Sequence, residues 1–161
     1  MSYTIRLVRK DETDKVVAFG LRAWKQVFDS WRGIFGDALY EALYPDWKKV
    51  QGDVIIKACQ EPETFNTWVA DVDGEPVGFI AAKLDEEKKE GEVYLLAVDP
   101  DHRNQGIGLA LNQTALAWFR ESGMLTAQVG TGGDPSHAAA RTCYEKAGYT
   151  GLPLVRYYQL L

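Results

Sequence analysis

Cysteine is scarce. Cys59 and Cys143 stand far apart and outside any CxxC or metal-ligand spacing, so no disulfide framework is expected and a reducing, cytoplasmic setting is. Histidine is equally sparse, with only His102 and His137 and no clustered ligands around them, so no metal site is expected. Basic charge is in deficit: 18 Lys and Arg face 23 Asp and Glu, a formal net charge of −5. That excludes a non-specific nucleic-acid binder, whose affinity comes from neutralising phosphates, while leaving room for a local pocket that takes a small polyanion. No apolar run approaches the ~20 residues of a membrane-spanning helix, and the opening MSYTIRLVRK lacks the apolar stretch of a signal peptide. The rest is ordinary. With 161 residues, 46% hydrophobic and 25% charged, the chain is expected to form one globular domain over residues 1–161.

Hydrophobic periodicity gives the order of elements. Thr4 to Val8 alternates as a strand does, and a helical pattern begins near Asp11. Val17, Leu21, Trp24, Phe28 and Trp31 recur at helical spacing until Gly33 and Gly36 interrupt them. Phe35–Tyr44 and Trp47–Cys59 read as two further helices, stopped by Pro45 and Pro62. Strand-like NTWVAD follows, then Asp73-Gly74, a strong hairpin signal, and a returning strand from Pro76 to Leu84. Past the charged loop DEEKKE, Glu92 to Val98 is nearly all apolar, as a buried central strand requires. A helix over 106–120, a strand over 125–129, a helix over 136–147 and a last strand over 154–160 complete a mixed α/β pattern.

The chemistry concentrates in EVYLLAVDPDHRNQGIG, residues 92–108. A buried strand runs into a polar loop, and Arg103-Asn104-Gln105-Gly106-Ile107-Gly108 opens a helix. Its first amides have no intrahelical acceptor and sit at the positive end of the dipole, which makes an anion site. Gly106 and Gly108 would let a phosphate approach the backbone. A dinucleotide fingerprint would need glycine where Leu111 stands, and a P-loop would need a Gly-Lys pair that the chain lacks.

With its surroundings the stretch resembles the acetyl-coenzyme A motif of the GNAT N-acetyltransferase superfamily, Arg/Gln-x-x-Gly-x-Gly/Ala after an apolar-Val-x-Pro strand end. Ala140-Arg141-Thr142-Cys143-Tyr144-Glu145-Lys146-Ala147-Gly148-Tyr149 is similar to that family's second hallmark, Ala-x-x-x-Tyr-Glu-Lys-x-Gly-Phe. The resemblance implies a GNAT fold: a mixed, mostly antiparallel twisted sheet of six to seven strands flanked by about four helices. It also implies acetyl-coenzyme A as co-substrate. Arg103, Asn104, Gln105, Gly106, Ile107 and Gly108 would cradle its pyrophosphate, and the backbone of Leu96, Ala97 and Val98 would bind the pantetheine arm. By the same resemblance, Tyr144 donates a proton to the departing thiolate, and Glu92 is the candidate base for the acceptor amine. In strict alternation Glu92, Tyr94, Leu96 and Val98 would share one face, a parity that a bulge would break. His137 stands seven residues before Tyr144, where the family commonly has an Asn that contacts coenzyme A; an imidazole can also donate. His102 reads as a loop residue and Cys143 as a buried inert thiol.

The implied activity is direct transfer of acetyl to a primary amine of a small molecule or peptide, with no nucleic-acid or membrane partner. Its rivals are a non-catalytic acyl-coenzyme A sensor and a transferase using another acyl group or an oxygen acceptor. Trp24, Trp31 and Trp47 gather with Phe28, Phe35, Tyr40 and Tyr44 where the resemblance places the cover of the acceptor cleft. They are expected to pack as core or to line an aromatic pocket. The final segment LVRYYQLL is apolar enough to suggest a homodimer or pairing within its own sheet.

Overall fold

The computed structural model describes residues 2–161. The chain runs β1 (Thr4–Leu7), α1 (Thr13–Phe35), α2 (Asp37–Leu43), α3 (Trp47–Gln60), β2 (Asn66–Val72), β3 (Glu75–Asp85), β4 (Glu90–Val98), α4 (Ile107–Glu121), β5 (Thr126–Val129) and α5 (Ala138–Ala147). Single 3-10 turns cover Lys10–Glu12, Pro100–His102 and Pro135–His137. One sheet has the order β1-β2-β3-β4-β5. Its first three pairings are antiparallel and β4·β5 is parallel.

The sheet separates two cores. Val16, Phe19, Ala23, Ile55 and Phe79 pack under α1 and α3, and Ile80, Val93, Ile107, Leu111 and Phe119 pack under α4. The β2–β3 hairpin turns at Asp73 (φ 53°) and Gly74 (φ 88°), the two left-handed residues that a type I′ turn requires. Among the described residues no helix is long and apolar enough to cross a membrane.

Three expectations need correction. The buried face of α1 carries Val16, Phe19, Gly20, Ala23, Val27 and Phe28, about one residue out of phase with the bulky series from Val17 to Trp31. Gly20 explains the offset, because a Cβ there would lie 2.8 Å from Ile55 Cδ1: the closest approach falls on small residues. The helix also runs through Gly33 and stops only at Gly36.

The sheet has five strands, not six or seven, because the expected strand over 154–160 does not form. Residues 149–161 carry no regular structure, and Leu154 and Val155 are exposed. Pro153 cannot donate to a ladder, and Tyr158 lies against Phe35, ring centroids 5.5 Å apart, on the α1 side.

The alternation expected along β4 breaks as well. Leu95 faces Ala81 and Val93 faces Ala82, which leaves Tyr94 as an extra residue. Val93, Leu96 and Val98 therefore pack toward α4, while Tyr94, Leu95 and Ala97 pack toward α1 and α3.

Candidate active site

The bulge at Tyr94 positions the site. Strand β5 pairs with β4 only over Glu90–Val93, and beyond that point the two strands part. A bulge bends its strand and raises the local twist, so β4 turns away from β5 once Tyr94 is passed. From Tyr94 to Val98 the strand keeps β3 on one side and has no strand on the other. Its backbone groups on that side open into a cleft of about 630 Å³, walled by Leu95–Val98, Gly130 and Thr131, the start of α4 and the inner face of α5.

One end of the cleft is an amide cradle. Asn104 (φ 61°) and Gly106 (φ 78°) are both left-handed, and this double reversal turns the loop into the N-terminus of α4. Gly106 is the N-cap and no side chain caps the helix, so its first amides remain free for an anion. Arg103, Asn104, Gly106, Ile107 and Gly108 line the cleft, whereas Gln105 does not. The Arg103 guanidinium is turned onto α1, where it donates to Gln26 Oε1 at 2.9 Å. Gly108 brings α4 close to α5, since a Cβ there would sit 3.3 Å from Cys143 Sγ. His102 also lines the cleft, and its Nδ1 is buried without a partner. An elongated ligand with a diphosphate at one end and amide groups along its arm fits this combination of free helix amides and open strand edge.

Tyr144 projects from α5 into the same cleft. Burial pushes its phenol well above the ordinary range, with smaller contributions from Cys143 and Tyr149, so it stays protonated and able to donate. Tyr149 packs edge-on at 5.9 Å, and burial pushes its phenol up to about 12. The Cys143 thiol is likewise raised by burial, which keeps it from acting as a thiolate.

Glu92 sits elsewhere. Gly91 abuts Phe119 under α4 and Val93 packs on the same side, so Glu92 between them points to the opposite face. It pairs with Lys83 at 3.0 Å in a separate polar depression beside Glu90 and Gln128. The ammonium of Lys83 also lies 5.1 Å from the Tyr94 ring centroid. Leu96, Ala97, Val98, the α4 cradle, His137 and Tyr144 thus share one cleft, and Glu92 lies outside it.

Asp134, in the turn ahead of α5, is a polar centre that sequence alone does not single out. Its Oδ2 accepts from Ser30 Oγ at 2.9 Å, from the Ser136 amide at 3.2 Å and from Ser136 Oγ. Its Oδ1 takes His137 Nδ1 at 2.5 Å. Burial would raise this carboxyl, but the hydrogen bonds from Ser136, His137 and Ser30 hold it well below the usual carboxylate range. Arg141 braces the loop by donating to the carbonyls of Gly132 (2.6 Å) and Asp134 (2.9 Å). Asp134-Pro135 signals only the turn, as an N-cap residue followed by proline at N1.

His137 also meets the aromatic group. Its ring stacks on Trp31 at 5.9 Å, Trp31 stacks on Tyr44 at 5.2 Å, and Phe28 stacks on Trp47 at 4.2 Å. Tyr40 is buried beneath, with the Arg32 guanidinium 4.2 Å from its ring centroid.

Comparison with known proteins identifies the family and the fold. Residues 24–149 match the model of the acetyltransferase (GNAT) family. A mycothiol acetyltransferase of Streptomyces griseus is 36% identical over 90 residues, 56% of this chain and 28% of that protein. An uncharacterized N-acetyltransferase of Methanocaldococcus jannaschii is 27% identical over 160 residues, 96% of this chain and 64% of that protein. The chain thus spans less than two thirds of the length of either relative. The PaiA N-acetyltransferase of Thermoplasma acidophilum, solved in complex with coenzyme A, superposes with a TM-score of 0.69 at 20% identity, over 93% of this chain and 91% of that one.

Proposed function

Because the chain belongs to the acetyltransferase (GNAT) family, we propose that its cleft binds acetyl-coenzyme A and passes the acetyl group directly to a primary amine. The observation that carries the reading is continuity: one cleft joins the uncapped start of α4, the open edge of β4 and Tyr144. The amides of 104–108 receive the diphosphate at the positive end of α4. The open groups of Leu96, Ala97 and Val98 bond the pantetheine arm as an added strand would. That lays the thioester along β4 toward Tyr144, and a β4 amide aimed at its carbonyl oxygen stabilises charge as nitrogen attacks. Tyr144 then gives its proton to the departing sulfur.

The acceptor approaches from the side of α1 to α3, where Trp31, Tyr44 and Trp47 gather. The net charge of −5 favours a cationic acceptor, and a small-molecule amine or a peptide terminus fits.

The test is thiol release from acetyl-coenzyme A with spermidine, kanamycin, L-alanine and an alanine-terminated peptide, with coenzyme A binding followed by calorimetry. Turnover of one class that Tyr144→Phe lowers about 10²-fold without weakening coenzyme A binding supports the reading. Binding with no turnover of any amine favours a sensor, and no binding ends the proposal.

A further inference from the structure

Asp134 and His137 are built as a pair. Three donors converge on Asp134 Oδ2, and Oδ1 is left to His137 Nδ1 alone. A capping turn needs only the first set, because the Ser136 amide satisfies the cap and nothing in that role calls for an imidazole. Gly132 leaves the space: a Cβ there would lie 2.5 Å from both Asp134 Oδ1 and His137 Nδ1. The ring is also fixed in plane by its stack on Trp31. The side chains of His137 and Asp134 are only 14% and 10% exposed.

A carboxylate on Nδ1 fixes the tautomer. Nδ1 carries the hydrogen, and Nε2 of the neutral ring is a bare acceptor. Nε2 has no partner among the described residues and is not buried, and His137 lines the cleft that holds Tyr144 and the open edge of β4. A neutral ring held this way has no N–H left for coenzyme A, so the contact expected from the family's Asn is not the one this geometry offers. His137 instead stands between the cofactor cleft and the aromatic side from which the acceptor comes.

Resting on the acetyl-transfer reading above, we infer that Asp134 and His137 form a dyad in which His137 Nε2 is the base that deprotonates the acceptor nitrogen. The neutral amine attacks the thioester carbon, and its lone pair makes the N–C bond. His137 Nε2 takes the proton from the nitrogen so activated. The C–S bond breaks with its electrons on sulfur, and sulfur takes the Tyr144 proton. Cleft water then returns the proton from imidazolium to phenolate, restoring both groups, and the products are an amide and a thiol. Asp134 is a positioning residue that holds the tautomer and balances the imidazolium. Around the dyad, Ser136 Oγ lies 3.3 Å from His137 Nδ1, Arg141 of α5 bonds the loop carbonyls, Tyr144 and Lys146 of α5 line the same cleft, and α1 presents the neutral Ser30 and Trp31.

The test pairs kinetics with nitrogen NMR. His137→Asn restores the family's residue and removes the base. With whichever panel amine the wild type acetylates, kcat/KM should fall at least about 10²-fold, the acid limb of the pH profile should vanish, and coenzyme A should bind as before. Asp134→Asn should lower kcat while leaving coenzyme A affinity intact. An His137→Asn enzyme that keeps its rate and profile overturns the assignment. So does loss of the acid limb in Glu92→Gln alone, which returns the base to Glu92.

Independently of any acceptor, ¹⁵N spectra of the coenzyme A complex should show neutral His137 as the Nδ1–H tautomer, with that preference lost in Asp134→Asn. An Nε2–H tautomer refutes the dyad. Wild type that turns over no amine counts against acetyl transfer, and the tautomer spectrum then judges the dyad alone.

Discussion

Gly91→Ala isolates the tightest contact between the sheet and α4. A Cβ on Gly91 would lie 2.3, 2.4 and 2.6 Å from Cγ, Cδ1 and Cδ2 of Phe119, whereas carbon atoms rest about 3.5–4.0 Å apart. The ring must retreat by about 1 Å. It has nowhere easy to go, since Phe119 is 2% exposed and packs with Trp118, Val93 and Met124. Overpacking of this kind costs about 1–3 kcal/mol, and the gain from replacing a strand glycine offsets roughly 0.5–1 kcal/mol of that. A net loss of about 1–2 kcal/mol follows, seen as a Tm lower by about 3–6 °C at this chain length. Urea unfolding with an unchanged m-value is the assay. The control is Phe119→Ala, which removes Cγ, Cδ1 and Cδ2 together: added to that background, Gly91→Ala should cost less than about 0.5 kcal/mol. An equal penalty in both backgrounds would refute steric conflict as the cause.

Two further perturbations follow from buried contacts. Gly132→Ala should drive a methyl between Asp134 and His137 and reduce turnover while coenzyme A binding stays intact; unchanged kinetics would show that the loop yields freely. Glu12 is buried beneath Arg6, which donates to it at 2.7 and 2.9 Å, and it accepts the Arg9 amide at 2.8 Å. Burial would raise its carboxyl, but these bonds hold it below its usual value of 4.5, and Arg6 likewise lowers Asp71. A carboxyl depressed on folding stabilises the fold above its unfolded value, and that contribution fades as pH falls through the folded one. Urea midpoints should therefore drop below about pH 4.5. Glu12→Gln should lose about 2 kcal/mol at neutral pH and show a shallower acid slope; a parallel slope would assign the acid loss to other groups.

Most of the architecture was legible because it rests on local signals. Asp73-Gly74 demanded its turn, with both residues left-handed, and Pro45 fell just past the end of α2. The face of α1 was misread because periodicity weighs bulky residues, while Gly20 and Ala23 mark the contact. Strand 154–160 has the composition of a strand, yet composition does not specify a partner, and Tyr158 finds Phe35 instead. The cradle and Tyr144 could be placed from motif and chain order. The position of Glu92 could not, since it depends on one extra residue at Tyr94 that only the register with β3 reveals. Asp134 was invisible as a functional group for a similar reason: Ser30 lies 104 positions away in sequence.

The open edge of β4 has a consequence for the company this protein keeps. Unpaired strand edges usually invite another polypeptide, and proteins blunt them with charge, proline or cover. Here the edge lies at the bottom of a wedge between β5 and the start of α4, with α5 along its rim. A polypeptide strand arrives with side chains on both faces, whereas a slender amide-bearing arm asks only for the backbone groups of the edge itself. On the acetyl-transfer reading proposed above, this unpaired backbone serves the arm of a ligand rather than the strand of another protein.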